Sequence, residues 1–107
     1  MREALAVNAE DWDSFPEECL EATRAFLRAR GLPSEFKPVF GRGERYWSST
    51  LSAGGNTYQL FIYEDAAAYW MNRERWLRVE PTEYPSVQDQ IAAFLKALGS
   101  SLDERQT

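Results

Sequence analysis

The chain has 107 residues, 44% of them apolar and 27% charged, which suits one globular domain with a two-layer core and excludes a disordered or fibrous chain. Twelve Lys and Arg against seventeen Asp and Glu leave a net charge of -5, so neither nucleic acid nor an anionic membrane is expected as a partner. With no His and a single Cys, Cys19, the sequence cannot build a Ser-His-Asp or Cys-His site, a zinc cage or a disulfide, and it reads as a non-enzyme without metal or cofactor.

Met1 to Val7 lacks an apolar run of signal-peptide length, and no later stretch approaches a membrane span. A cytoplasmic protein is therefore expected, which also suits a lone cysteine. Ala4 to Val7 is compatible with a strand or with a helical lead-in. Ser14-Phe15-Pro16-Glu17 then predicts a helix start, with Ser as the cap, Pro in the first turn and Glu three residues on. Cys19, Leu20, Thr23, Phe26 and Leu27 recur on one face of that helix, which Gly31 ends. Phe36 to Phe40 is a candidate edge strand, provided Pro38 faces solvent.

The period then changes to two. Glu44 to Ser52, Thr57 to Glu64, Ala67 to Met71 and Arg75 to Glu80 predict four strands joined by connections short enough to force antiparallel neighbours. A closing helix starts at Ser86 with Asp89 as its matching acid, carries Val87, Ile91, Phe94, Leu95 and Leu98 on one face, and is expected to stop at Gly99. The expected fold is α+β: a four-stranded or five-stranded antiparallel meander with an N-terminal and a C-terminal helix packed on one face.

A turn tip at Gly54-Gly55 pairs Leu51 with Tyr58, Ser49 with Leu60 and Trp47 with Ile62 on the apolar, helix-facing side. Continuing through an Asp65-Ala66 turn and an Asn72 to Glu74 loop places Tyr69, Met71, Leu77 and Val79 on the same side. The other face then receives Tyr46, Phe61, Tyr63, Trp70 and Trp76, with Gln59, Ala68 and Arg78. A sheet with one helical layer normally leaves such a face polar. An aromatic one is covered by Met1 to Asp13, by Leu32 to Arg42 or by a second copy in a homodimer, or else it meets a partner.

Charge is segregated along the chain. Met1 to Thr23 carries seven acids and one Arg (-6), Arg24 to Arg45 six bases and two acids (+4), and Tyr46 to Thr107 eight acids and five bases (-3). Asp11, Asp13 and Glu17 head the acidic stretch; they read either as a solvated helix start or as a patch that steers a basic partner. Gly41-Arg42-Gly43-Glu44-Arg45 lacks the Lys-Ser/Thr of a phosphate loop and reads as a turn. Cys19, on the buried stripe, reads as an inert core residue.

From Tyr58 to Leu98 the order runs through the strand Tyr-Gln-Leu-Phe-Ile-Tyr-Glu-Asp, an aromatic strand ending Tyr69-Trp70-Met71, the strand Arg75-Trp76-Leu77-Arg78-Val79-Glu80 and a Ser-capped helix. This arrangement resembles the tail of small bacterial immunity proteins, the antidotes encoded beside polymorphic or contact-dependent toxins. The resemblance is architectural and carries no motif. It implies a cytoplasmic, non-catalytic inhibitor that binds a toxin domain. The residues expected to meet the protein partner are Tyr46, Phe61, Tyr63, Trp70, Trp76 and Arg78, with Asp11, Asp13 and Glu17 supplying charge. The alternatives are a phage-encoded inhibitor of a host defence complex and a small-molecule binding domain with an aromatic pocket.

Overall fold

The computed structural model describes residues 12–41 and 43–106. Helix α1 (Phe15–Ala29) leads into five strands, β1 (Lys37–Gly41), β2 (Glu44–Ala53), β3 (Asn56–Tyr63), β4 (Ala68–Met71) and β5 (Trp76–Val79), and helix α2 (Val87–Gln106) closes the chain. All strand pairs are antiparallel, in the meander order β1-β2-β3-β4-β5. The α+β expectation therefore holds with the fifth strand present, and Pro38 is exposed on the sheet edge. Among the described residues no helix is long and apolar enough to cross a membrane. The open question over Ala4 to Val7 lies outside the described residues.

The β2–β3 hairpin has the expected register: Leu51 faces Tyr58, Ser49 faces Leu60, Trp47 faces Ile62 and Tyr46 faces Tyr63. Gly54 and Gly55 both sit at positive φ, +59° and +81°, the backbone that a two-residue hairpin loop with native twist requires.

The next two turns each differ from expectation by one residue. Tyr63 N–H donates to Ala67 O (2.8 Å) and Ala66 N–H to Tyr63 O (3.1 Å), so the loop is Glu64-Asp65-Ala66, with Ala66 at φ +78°. That left-handed position favours Gly and costs an alanine about 1–2 kcal/mol. The fold holds it from across the core, where the buried Gln90 amide donates to Ala66 O (2.7 Å) and to Val79 O (3.2 Å) and accepts from the Trp12 indole. β4 is thereby shifted one residue against β3: Leu60 faces Trp70, and Phe61 faces Tyr69. In the following turn Asn72 N–H donates to Arg75 O, and the Asn72 side-chain oxygen accepts from the amides of Glu74 and Arg75 (2.8 Å each). That loop is one residue shorter than expected, so the two slips cancel and Leu77 and Val79 still face the helices.

The core lies between this side of the sheet and the helix layer. Leu51, Tyr58, Leu60, Ile62, Ala68, Trp70 and Val79 meet Phe15, Cys19, Leu20 and Leu27 of α1 and Val87, Ile91, Phe94, Leu98 and Leu102 of α2. At the start of α1, Ser14 makes no side-chain cap bond, and its hydroxyl donates to Glu18 (2.7 Å) instead of pairing with an amide ahead of Glu17. At the start of α2 the expected cap forms, Asp89 N–H donating to Ser86 Oγ (3.1 Å) and that hydroxyl to the Asp89 carboxylate (3.0 Å).

Helix α2 does not stop at Gly99, which is buried. A Cβ there would lie 3.2 Å from Phe26 Cζ and 3.3 Å from an Arg30 nitrogen, so the glycine lets α1 and α2 approach closely. The helix runs on to bury Leu102 and to place Asp103 2.8 Å from Arg30. Gly99→Val is expected to lower stability by about 1–3 kcal/mol in urea titrations, although helix propensity alone favours the change.

Cys19 is fully buried, 3.8 Å from the Thr23 hydroxyl. Burial pushes its thiol up to about 12, with the Thr23 contact pulling the other way. A thiol reagent at about pH 8 should therefore leave the native chain unmodified. In the unfolded chain the thiol ionises near 9.0 while the folded one keeps its proton. Its contribution to stability is complete below that value and declines as pH rises from about 9 to about 12, a decline that Cys19→Ala should abolish.

Candidate protein-binding face

The side of the sheet away from both helices carries an aromatic cluster. Alternation along β2 and β3 brings Tyr46, Phe61 and Tyr63 to it, and the shifted frame of β4 adds Tyr69. Tyr46 stacks on Tyr63 with ring centroids 4.9 Å apart, Phe61 on Tyr69 at 4.7 Å, and Tyr63 on Tyr69 at 5.9 Å. All four rings are half-buried by one another. Met71 and Trp76 pair at the far end of β4, where Trp76 is 69% exposed.

Beside the cluster is an open trough of about 260 Å³, with Tyr63, Tyr69, Met71 and Trp76 as its apolar surfaces and Glu44, Asp65 and Arg78 as its charges. Arg78 is ion-paired with Glu80, the residue just past the end of β5, so its charge is locally balanced. The Tyr63 phenol is raised well above the ordinary tyrosine range. Burial is the first cause, followed by its hydrogen bond with Tyr69 and the fields of Tyr69, Tyr46 and Glu44. The Tyr63 hydroxyl is therefore held in its neutral form beside the Glu44 and Asp65 carboxylates that line the trough.

Of the residues expected to meet a partner, Tyr46, Phe61, Tyr63, Trp76 and Arg78 do share this face. Trp70 does not: it is 2% exposed, tilted against Tyr58 in the core, and its Nε1–H has no partner among the described residues. The cause is the extra residue in the Ala66 turn, which turns Trp70 inward and sends Tyr69 and Met71 outward. Tyr69 and Met71 were missed for that reason, because Ala-Tyr-Trp-Met is apolar at both parities and local pattern cannot choose between them.

Asp13 and Glu17 are exposed on the helix layer, on the side of the molecule opposite the aromatic face, and so belong to a separate surface. Asp11 and the segment Met1 to Glu10, including its expected role as a cover, lie outside the described residues. Of the Leu32 to Arg42 segment, Phe36 enters the core and Lys37 to Gly41 pairs beside β2 as edge strand β1 rather than over the rings, while Arg42 lies outside the described residues. Comparison with known proteins finds no matching family model, no curated relative and no similar solved structure.

Proposed function

We propose that this chain is a non-catalytic protein-binding inhibitor of the immunity-protein kind, which docks its cognate toxin on the outer face of the sheet. The observation that carries the reading is the aromatic cluster of Tyr46, Phe61, Tyr63 and Tyr69, with Trp76 beside it, on the face that neither helix covers. Interface centres are built from such residues, because Tyr and Trp bring large apolar area at a small entropic cost and keep a polar edge for hydrogen bonding. A meander braced from behind by two helices also holds these rings in place before binding, which reduces the ordering cost of association.

The net charge of -5 adds long-range attraction for a basic partner, felt in the association rate and weakened by salt. In this reading the protein acts in the cytoplasm, where Cys19 stays reduced. The test is affinity capture from the source cell, followed by expression of each captured protein alone and together with this chain. A captured protein that arrests growth alone and is neutralised by the wild-type chain, but not by a chain altered on the aromatic face, is the expected result. Recovery of only a second copy of the chain, or neutralisation that survives loss of the face, would overturn the reading.

A further inference from the structure

The trough on the sheet face has a chemistry of its own, and the inference drawn from it rests on the reading of that face as the docking surface. We infer that the trough between Tyr63, Tyr69 and Trp76 receives one basic side chain, Arg or Lys, from the bound protein, with Glu44 and Asp65 as its counter-charges.

The trough runs from Ala67, just ahead of β4, to Met71 at the end of that strand, about 13 Å at the usual rise per strand residue. Its ends differ. Glu44 lies at the start of β2 and Asp65 in the β3–β4 turn, so the carboxylates share one end with Tyr63, while Met71 and Trp76 form the other. A long basic side chain matches that polarity: its methylenes lie along Tyr69 and Met71, and its cationic head reaches the ring faces beside the acids. Ring faces attract a cation through their quadrupole, and the exposed carboxylates close by add a Coulomb attraction that salt weakens.

The charges around the site favour a cation over an anion. Asp65 holds the Ala67 amide through one oxygen at 3.3 Å, which fixes the position of its carboxylate. Arg78, the one base lining the trough among the described residues, is already engaged by Glu80. The Tyr63 phenol resists ionisation chiefly through burial and its hydrogen bond with Tyr69, with the field of Glu44 as a minor addition in the same direction. An acidic side chain of a partner would meet two like charges here, and a neutral apolar one would leave them without a counter-charge.

The probes are N-acetylargininamide and N-acetyllysinamide, with N-acetylnorleucinamide as the neutral chain of similar length and tetramethylammonium as a free small cation. The readout is the NMR shift of the Trp76 indole and of the Tyr63 and Tyr69 ring protons in the wild-type chain. Both cationic amides should give saturable shifts, binding at least about fivefold more tightly than the norleucine amide. Glu44→Gln and Asp65→Asn should each weaken them by about threefold, and Asn at position 65 retains an acceptor for the Ala67 amide. Equal shifts from the neutral amide, binding of tetramethylammonium alone, or no shifts at all would overturn the inference. If the probes fail while Trp76→Ala still abolishes capture of the toxin, the basic anchor is refuted and the docking face stands. If Trp76→Ala leaves capture intact, the docking face itself is refuted.

Discussion

Trp70→Ala is expected to lower the unfolding free energy by about 3–5 kcal/mol, and Trp76→Ala by less than about 1 kcal/mol, in urea titrations of the same chain. Trp70 is 2% exposed and Trp76 69% exposed, although the two stand only six positions apart. Trp70 faces Leu60 on one side and Leu77 on the other, and its ring lies 5.9 Å from Tyr58. Removing it opens a cavity that strands on both sides cannot close. Since a domain of this size has about 5–15 kcal/mol of stability, the alanine variant should lose a large share of it, and nearly all of it at the low end of that range.

Trp70→Phe keeps the effect measurable. It retains most of the ring and removes an indole N–H that finds no acceptor among the described residues, so the lost packing is partly offset and a cost of about 1–2 kcal/mol is expected. Equal sensitivity at positions 70 and 76 would return both indoles to one face and overturn the β3–β4 register.

Where local sequence chemistry and tertiary packing agree, the fold was legible. The Gly54-Gly55 pair and the alternation from Tyr46 to Tyr63 determine the central hairpin residue by residue. Legibility ended at Ala66, because an alanine in the left-handed region carries no turn signal of its own. What holds it there is Gln90, far along the chain and completely buried. A similar ambiguity attaches to Gly99, since a glycine late in a helical stripe ends the helix or admits a neighbour depending on what packs against it. Here Phe26 packs against it.

The candidate site divides along the same lines. Tyr46, Phe61 and Tyr63 follow from the hairpin, whereas Trp76 and Arg78 reach the outer face because two opposite loop-length differences cancel. Tyr69 and the trough could not be foreseen without the frame of β4. Asp13 and Glu17 were grouped with the rings by charge alone, and no local pattern could have told that α1 and the residues leading into it lie on the other side of the sheet.

If the proposed docking face is right, simultaneous replacement of Tyr69 and Trp76 by alanine should weaken partner binding by at least about 100-fold, chiefly through faster dissociation, while the chain keeps its fold. The two rings have different dependencies. Tyr69 is held by Phe61 at 4.7 Å and Tyr63 at 5.9 Å, so its loss also loosens the neighbouring stack, whereas Trp76 is free to place most of its surface against a partner. Neither is part of the core between sheet and helices, so the melting temperature should fall by less than about 10 °C, as monitored by circular dichroism. Asp13→Lys and Glu17→Lys provide the contrast, because exposed acids on the helix layer act only through long-range attraction. They should slow association by a few-fold at low salt and leave dissociation unchanged. Binding that survives the aromatic pair but collapses with the acidic pair would move the docking surface to the helix layer and leave the ring cluster without a partner to bind.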